Sequence, residues 1–247
     1  NKNHYQKSDI PGIAWKKMER TNRWDFRLIV NSYNYVKKNK IKIIQGFLDT
    51  GNLYGNLISI LCLKKVRVFC SERSGVRKLK ILNKLHKIFS HTFSDFTICN
   101  SKAGKKYLIS LGIRASKIII INNATIHKRF IMPDSFTKEK ARGKLKLPTN
   151  TKIALCVARF DKCKNHIGII KAFSRVKSSS EFIILFIGDH SGNQPVLNSI
   201  IKESKKLGLY ERLIILKPQK NIELYYWASD FFVLFSNREG YSNVLVE

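Results

Sequence analysis

The chain has 247 residues, 46 of them Lys or Arg and 17 Asp or Glu, for a net charge of +29. Apolar residues make up 44% and aromatics 11%, which excludes a disordered polyelectrolyte, because such chains lack the apolar surface for a core. Five cysteines, at 62, 70, 99, 156 and 163, form no C-x-x-C pair, which argues against a disulfide framework or zinc site and fits a reducing compartment.

Short apolar runs alternate with longer amphipathic ones. A strand is expected near Ile10–Trp15 and a helix over Trp24–Lys38. Strands then follow at Ile41–Phe47, Val66–Cys70, Phe96–Asn100 and Lys117–Asn122. Between them the periodicity predicts helices over Leu53–Leu63, Val76–Ser90 and Ser101–Leu111, the last with Ser101 as N-cap and Gly112 as its stop. Residues 124–150 have no clear period, are basic, and contain Pro133, Gly143 and Pro148; they read as a linker. Beyond it, strands are expected at Thr151–Ala158, Phe182–Ile187, Arg212–Leu216 and Phe231–Phe235. Helices are expected over Asn165–Lys177, Pro195–Leu207 and Glu223–Trp227, and another from near Ser242. Apolar strands alternating with helices imply parallel sheets covered on both faces. The expected fold is therefore α/β, with a first domain at 1–123, a linker at 124–150 and a second domain at 151–247.

Charge divides unevenly between these parts. Residues 1–150 hold 32 basic and 8 acidic residues, a net of +24, whereas residues 151–247 hold 14 and 9, a net of +5. The first part suits an anionic neighbour: nucleic acid, an acidic lipid surface or a phosphorylated ligand. No apolar run approaches the ~18 residues of a membrane span. The start, Asn1-Lys2-Asn3-His4, lacks the apolar stretch of a signal peptide.

Right-handed crossovers put the carboxyl ends of parallel strands on one edge, where open α/β sheets bind ligands. In the second domain polar clusters follow each strand there: Arg159 and Lys164, then Gly188-Asp189, then Lys217-Pro218, then Arg238 through Asn243. Arg159 offers a planar fork and Lys164 a point charge, both suited to phosphate oxygens. The helix starts expected near Asn165 and Ser242 add N–H donors for an anion. Gly240 admits close backbone approach. Glu239 and Glu247 supply acceptors for sugar hydroxyls. Together these describe a diphosphate site. No carboxylate pair is spaced for a metal.

The run from Val157 to His166 (VARFDKCKNH), followed by Ile170-Lys171-Ala172-Phe173, resembles the donor-domain opening of family-4 retaining glycosyltransferases. So do Phe186-Ile187-Gly188-Asp189, Ala228-Ser229-Asp230 and the run Glu239 to Glu247 (EGYSNVLVE), which holds two glutamates with seven residues between them. The first domain resembles the acceptor side more loosely, through Ser71-Glu72-Arg73, Ser94-Asp95, Asn100-Ser101-Lys102 and Ile121-Asn122-Asn123. His190 and Ala124 stand where the family often has glycine.

The resemblance implies two Rossmann-like domains facing across a cleft (GT-B), and retention of anomeric configuration with no metal or other cofactor. It assigns catalysis to Glu239, Arg159 and Lys164. It assigns donor binding to Arg159, Lys164, Gly188, Lys217, Glu239, Gly240, Tyr241, Ser242, Asn243 and Glu247, with Arg73 on the acceptor side. The implied partners are a nucleotide-sugar donor, a glycan or lipid-linked acceptor and an anionic membrane surface, and no specific nucleic acid. The expected place is cytoplasmic, peripheral on the inner membrane face. The family's opening strand with its glycine-rich loop and its closing strands find no counterpart, so the chain reads as a fragment missing both ends. The alternatives are a basic nucleic-acid-binding protein, or another two-Rossmann enzyme such as an epimerase or phosphorylase. Against the first, no zinc-finger, helix-turn-helix or RNA-binding signature is present.

Overall fold

The computed structural model describes residues 16–18, 25–73, 79–176 and 182–247. The expected strand near Ile10–Trp15 and the expected helix ends at Trp24, Val76 and Lys177 lie outside them. The chain divides into two compact units, the first running to Ile120 and the second from Ile121 to Glu247, with Arg73 grouped with the second.

The first unit alternates helices and strands: α1 (Phe26–Lys38), β1 (Ile43–Gln45), α2 (Leu48–Leu61), β2 (Arg67–Glu72), α3 (Ile81–Phe93), β3 (Phe96–Cys99), α4 (Lys102–Ser110) and β4 (Ile118–Ile120). Its four strands pair in chain order, all parallel. Local chemistry sets the helix starts. The Asp25 carboxylate accepts from Arg27 N at 3.1 Å, and Ser101 Oγ accepts from Gly104 N at 3.1 Å, each meeting an otherwise unpaired amide. Gly112 takes φ +89° just beyond α4, a left-handed turn that glycine adopts without strain.

The second unit continues with α5 (His127–Phe130), α6 (Lys138–Leu145), β5 (Lys152–Val157), α7 (His166–Phe173), β6 (Phe182–Ile187), α8 (Gln194–Lys206), β7 (Leu213–Leu216), α9 (Ile222–Ala228) and β8 (Phe231–Phe232). Its sheet is also parallel, in the order β7-β6-β5-β8. Apolar side chains cover both faces. Cys156, Ile184 and Phe186 join Ile169, Ile170 and Ile200 on one side. Ile153, Leu155, Leu185 and Ile187 meet Tyr225, Tyr226 and Phe232 on the other. The chain steps outward from β5 to β6 and β7, then returns to place β8 on the opposite flank of β5. The strand order therefore reverses between β5 and β8, and crevices of this kind open at the carboxyl ends of such a pair.

Two expectations differ. Residues 124–150, expected as a linker with no clear period, carry α5 and α6. Arg142 on α6 is buried; its guanidinium donates to Ala228 O at 2.9 Å and to Asp230 Oδ2 at 2.7 Å. Partners so far along the chain leave no local period to read. The helix expected from Ser242 is only a three-residue 3₁₀ turn, Asn243–Leu245, and Ser242 makes no capping bond to it.

Candidate functional site

The loops after β5 and β8 meet at the reversal. After β5, Asp161 Oδ1 accepts from Cys163 N at 2.8 Å and opens a 3₁₀ turn at Lys162–Lys164. Asn165 follows at φ +50°, and its carboxamide oxygen accepts from Gly168 N at 3.2 Å to start α7. A left-handed Asn thus turns the chain sharply at the helix start and leaves Lys164 projecting from the preceding turn. The β8 loop is fastened to this turn: Asn237 N donates to Cys163 O at 2.8 Å.

This brings Lys164 and Glu239 together. Lys164 Nζ lies 2.6 Å from Glu239 Oε1, with both side chains largely shielded from solvent. Arg159 is exposed at the end of β5 and forms no salt bridge among the described residues. The local potential is positive. Asp161 is held below the usual carboxylate range, first by the Cys163 amide and then by the charges of Arg159 and Lys164. His166, fully buried against Phe160 with ring centroids 4.7 Å apart, is lowered to about 4 by burial and then by Lys164. It is a neutral core residue.

The other expected residues fall around this pair. Gly188 ends β6 where a Cβ would stand 1.9 Å from the Ala158 carbonyl oxygen, so its first role is to let β6 close on β5. Lys217 is exposed after β7. Gly240, Tyr241 and Ser242 are half-buried and Asn243 is exposed. Ser242 Oγ, and Ser236 Oγ earlier in the same loop, are shut off from solvent with no hydrogen-bond partner among the described residues. Orphaned hydroxyls of this kind are costly unless something completes them. Glu247 accepts from the Tyr226 hydroxyl at 3.0 Å. Burial, and after it Glu247, pushes that phenol up. Asn243 Oδ1 accepts from Asn123 Nδ2 at 2.7 Å, and Asn123 Oδ1 in turn accepts from Arg73 at 3.3 Å. No contact joins Glu247 to Glu239 among the described residues.

Sequence reasoning missed Asn237, Ser236 and Tyr226. Asn237 stands two residues before Glu239, yet only the fold reveals that its amide reaches the β5 loop.

Residues 137–247 match a family model described as glycosyl transferases group 1. A Campylobacter jejuni enzyme, N-acetylgalactosamine-N,N'-diacetylbacillosaminyl-diphospho-undecaprenol 4-alpha-N-acetylgalactosaminyltransferase, is 34% identical over 96 residues, 39% of this chain and 25% of the relative. The N-acetyl-alpha-D-glucosaminyl L-malate synthase of Bacillus anthracis is 24% identical over 219 residues, 81% of this chain and 54% of the relative. The chain thus spans about half or less of these curated relatives. Among solved structures, Anabaena HepE in complex with UDP-glucose superposes with a TM-score of 0.79 at 19% identity, covering 89% of this chain and 59% of that one. The fold, two parallel α/β units, is that of GT-B glycosyltransferases.

Proposed function

We propose that this chain forms part of a glycosyltransferase that moves a sugar from a nucleotide-diphosphate donor to a glycan or lipid-linked acceptor, with retention, in cell-surface polysaccharide or glycolipid synthesis. The observation that carries the reading is the Lys164–Glu239 pair at the strand-order reversal, inside the stretch matched by the glycosyltransferase model. A cation and a carboxylate held side by side suit a ligand with a phosphate at one end and hydroxyls at the other.

In this reading Lys164 and Arg159 take up the negative charge that grows on the diphosphate as the bond to the sugar breaks. Fixed cations aimed at developing charge lower the barrier without reorganising in the event. Glu239 accepts from a donor-sugar hydroxyl and Glu247 from the ribose. The backbone of Gly240 to Asn243 and the ends of β6 and β7, at Gly188 and Lys217, line the rest. Arg73 belongs to the acceptor side. The Campylobacter relative is named for a diphospho-undecaprenol acceptor, which supports the lipid-linked alternative.

The test is a thermal-shift series with UDP, GDP and ADP. One nucleotide is expected to raise the unfolding temperature, with stabilisation of about 2.7 kcal/mol at a hundredfold excess over Kd. Lys164→Ala should abolish most of that rise. An undiminished rise in Lys164→Ala refutes the site.

A further inference from the structure

The second unit holds a cavity apart from the donor site. It lies between the turn that follows β5 and the first turns of α8, with a volume of about 290 Å³, close to the lower bound for small-molecule sites. Topology separates it from the donor residues. The donor site forms where this turn meets the loop after β8, whereas α8 follows β6, on the other flank of β5. The polar part of the lining is Asp161, Lys162, Asn165, His166 and Ser199, and Ile167 and Val196 supply an apolar wall.

The polar groups retain hydrogen-bonding capacity. Asp161 accepts from Cys163 N, which leaves the carboxylate further lone pairs. Asn165 spends its oxygen on Gly168 N and keeps its amide N–H groups as donors. Ser199 donates to Pro195 O at 2.8 Å and keeps its oxygen as an acceptor. His166 is the sharpest case. It is 2% exposed and forms part of the wall, and neither ring nitrogen has a hydrogen-bond partner among the described residues. A neutral imidazole carries one donor and one acceptor, and leaving both unpaired is costly unless an occupant completes them. Charge narrows the choice of occupant. The lining holds one carboxylate, Asp161, and one ammonium, Lys162, so it favours a ligand with no net charge. Donors and acceptors on one side and branched aliphatic side chains on the other match the hydroxyl edge and the C–H face of a sugar ring. We propose that this cavity is a second ligand site, which takes one neutral sugar residue, free or at the end of a glycan. The inference does not rest on the donor reading.

The experiment is saturation-transfer NMR on the full chain with glucose, galactose, N-acetylglucosamine and N-acetylgalactosamine, followed by titration of those that bind. At least one is expected to bind saturably, and excess UDP should leave that binding in place. Ser199→Trp, which fills the mouth of the cavity, should weaken it at least tenfold, and Lys162→Ala about fivefold. The His166 ring nitrogens, isotopically labelled and assigned with His166→Gln, should shift with the sugar, a response that a purely structural histidine would not give. Circular dichroism checks that each variant is folded; if Ser199→Trp does not fold, Lys162→Ala and the ring-nitrogen shift decide. Methyl glycosides of the same sugars identify the source: binding kept on methylation marks the end of a glycan, and binding lost marks a free sugar. No binding by any of the four sugars overturns the proposal. So does tighter binding of glucose 6-phosphate than of glucose, since the cavity would then select an anion. Displacement by UDP, or loss of sugar binding in Lys164→Ala with Ser199→Trp unaffected, also overturns it, since the sugar would then occupy the donor site. The nucleotide thermal shift is scored separately, so failure of either reading leaves the other standing.

Discussion

Gly188 leaves no space for a methyl group. A Cβ there would sit 1.9 Å from the Ala158 oxygen and 2.7 Å from its carbonyl carbon, and both are backbone atoms that cannot swing aside. Gly188→Ala is therefore expected to destabilise the second unit by about 1–3 kcal/mol through forced separation of β5 and β6, measured by chemical denaturation. The sequence marks Gly188 by its place after a strand, but its packing role needs the register Val157↔Ile187. Lys164 and Glu239 were also legible as residues at a sheet edge. Their direct pairing was not, because it depends on Asn237 fastening one loop to the other.

At the scale of elements, β6 is the clearest case. Its six residues, Phe182–Ile187, have the bounds expected from an unbroken apolar run, because a strand buried on both faces has no polar positions to blur its ends. The segment 124–150 is the opposite case. Arg142 is buried only because Asp230 and Ala228 come to meet it, and no local pattern announces that. Arg142→Met is expected to cost about 3 kcal/mol by stranding partners that are mostly buried, read by denaturant titration. The same network sets a pH effect. Burial opposes ionisation of Asp230, but the Lys138 hydrogen bond, the Ile153 amide and Arg142 outweigh it and hold its pKa at about 2. Its ordinary value is higher, so the native carboxylate resists protonation. That stability is present above the ordinary carboxylate range and drains away as pH falls toward 2. Asp230→Asn should flatten the acid limb. Helix α3 shows a third kind of limit. Its period was readable, yet period alone does not say which face turns inward, and here the buried Lys87, paired with buried Glu72, decides it.

For the molecule as a whole, among the described residues each unit holds one fully buried histidine. His91 is lowered to about 4 by burial and then by Lys87, and His166 to about 4 by burial and then by Lys164. Both stay neutral when folded and take up protons near pH 6.5 when unfolded. The unfolded chain therefore binds more protons, and stability should fall as pH drops from 6.5 toward 4. Thermal melts across that range should show falling midpoints. His91→Gln and His166→Gln each should remove part of the slope. Among the described residues no helix is long and apolar enough to cross a membrane. The two parallel sheets were visible as alternation in the sequence. The reversal at β5 was not, because strand order is set by pairing between distant segments.

If Lys164 and Glu239 form the proposed donor site, their 2.6 Å contact makes the carboxylate a rival of an incoming diphosphate. A nucleotide lacking its sugar must evict Glu239 and give it nothing in return, whereas a sugar hydroxyl re-employs the displaced carboxylate. Glu239→Gln should consequently hold free UDP tighter, by roughly two- to fivefold for one partly shielded ion pair, while holding the intact UDP-sugar more weakly. Calorimetry on the two ligands would show the preference inverted, and with it a built-in bias toward letting spent nucleotide go.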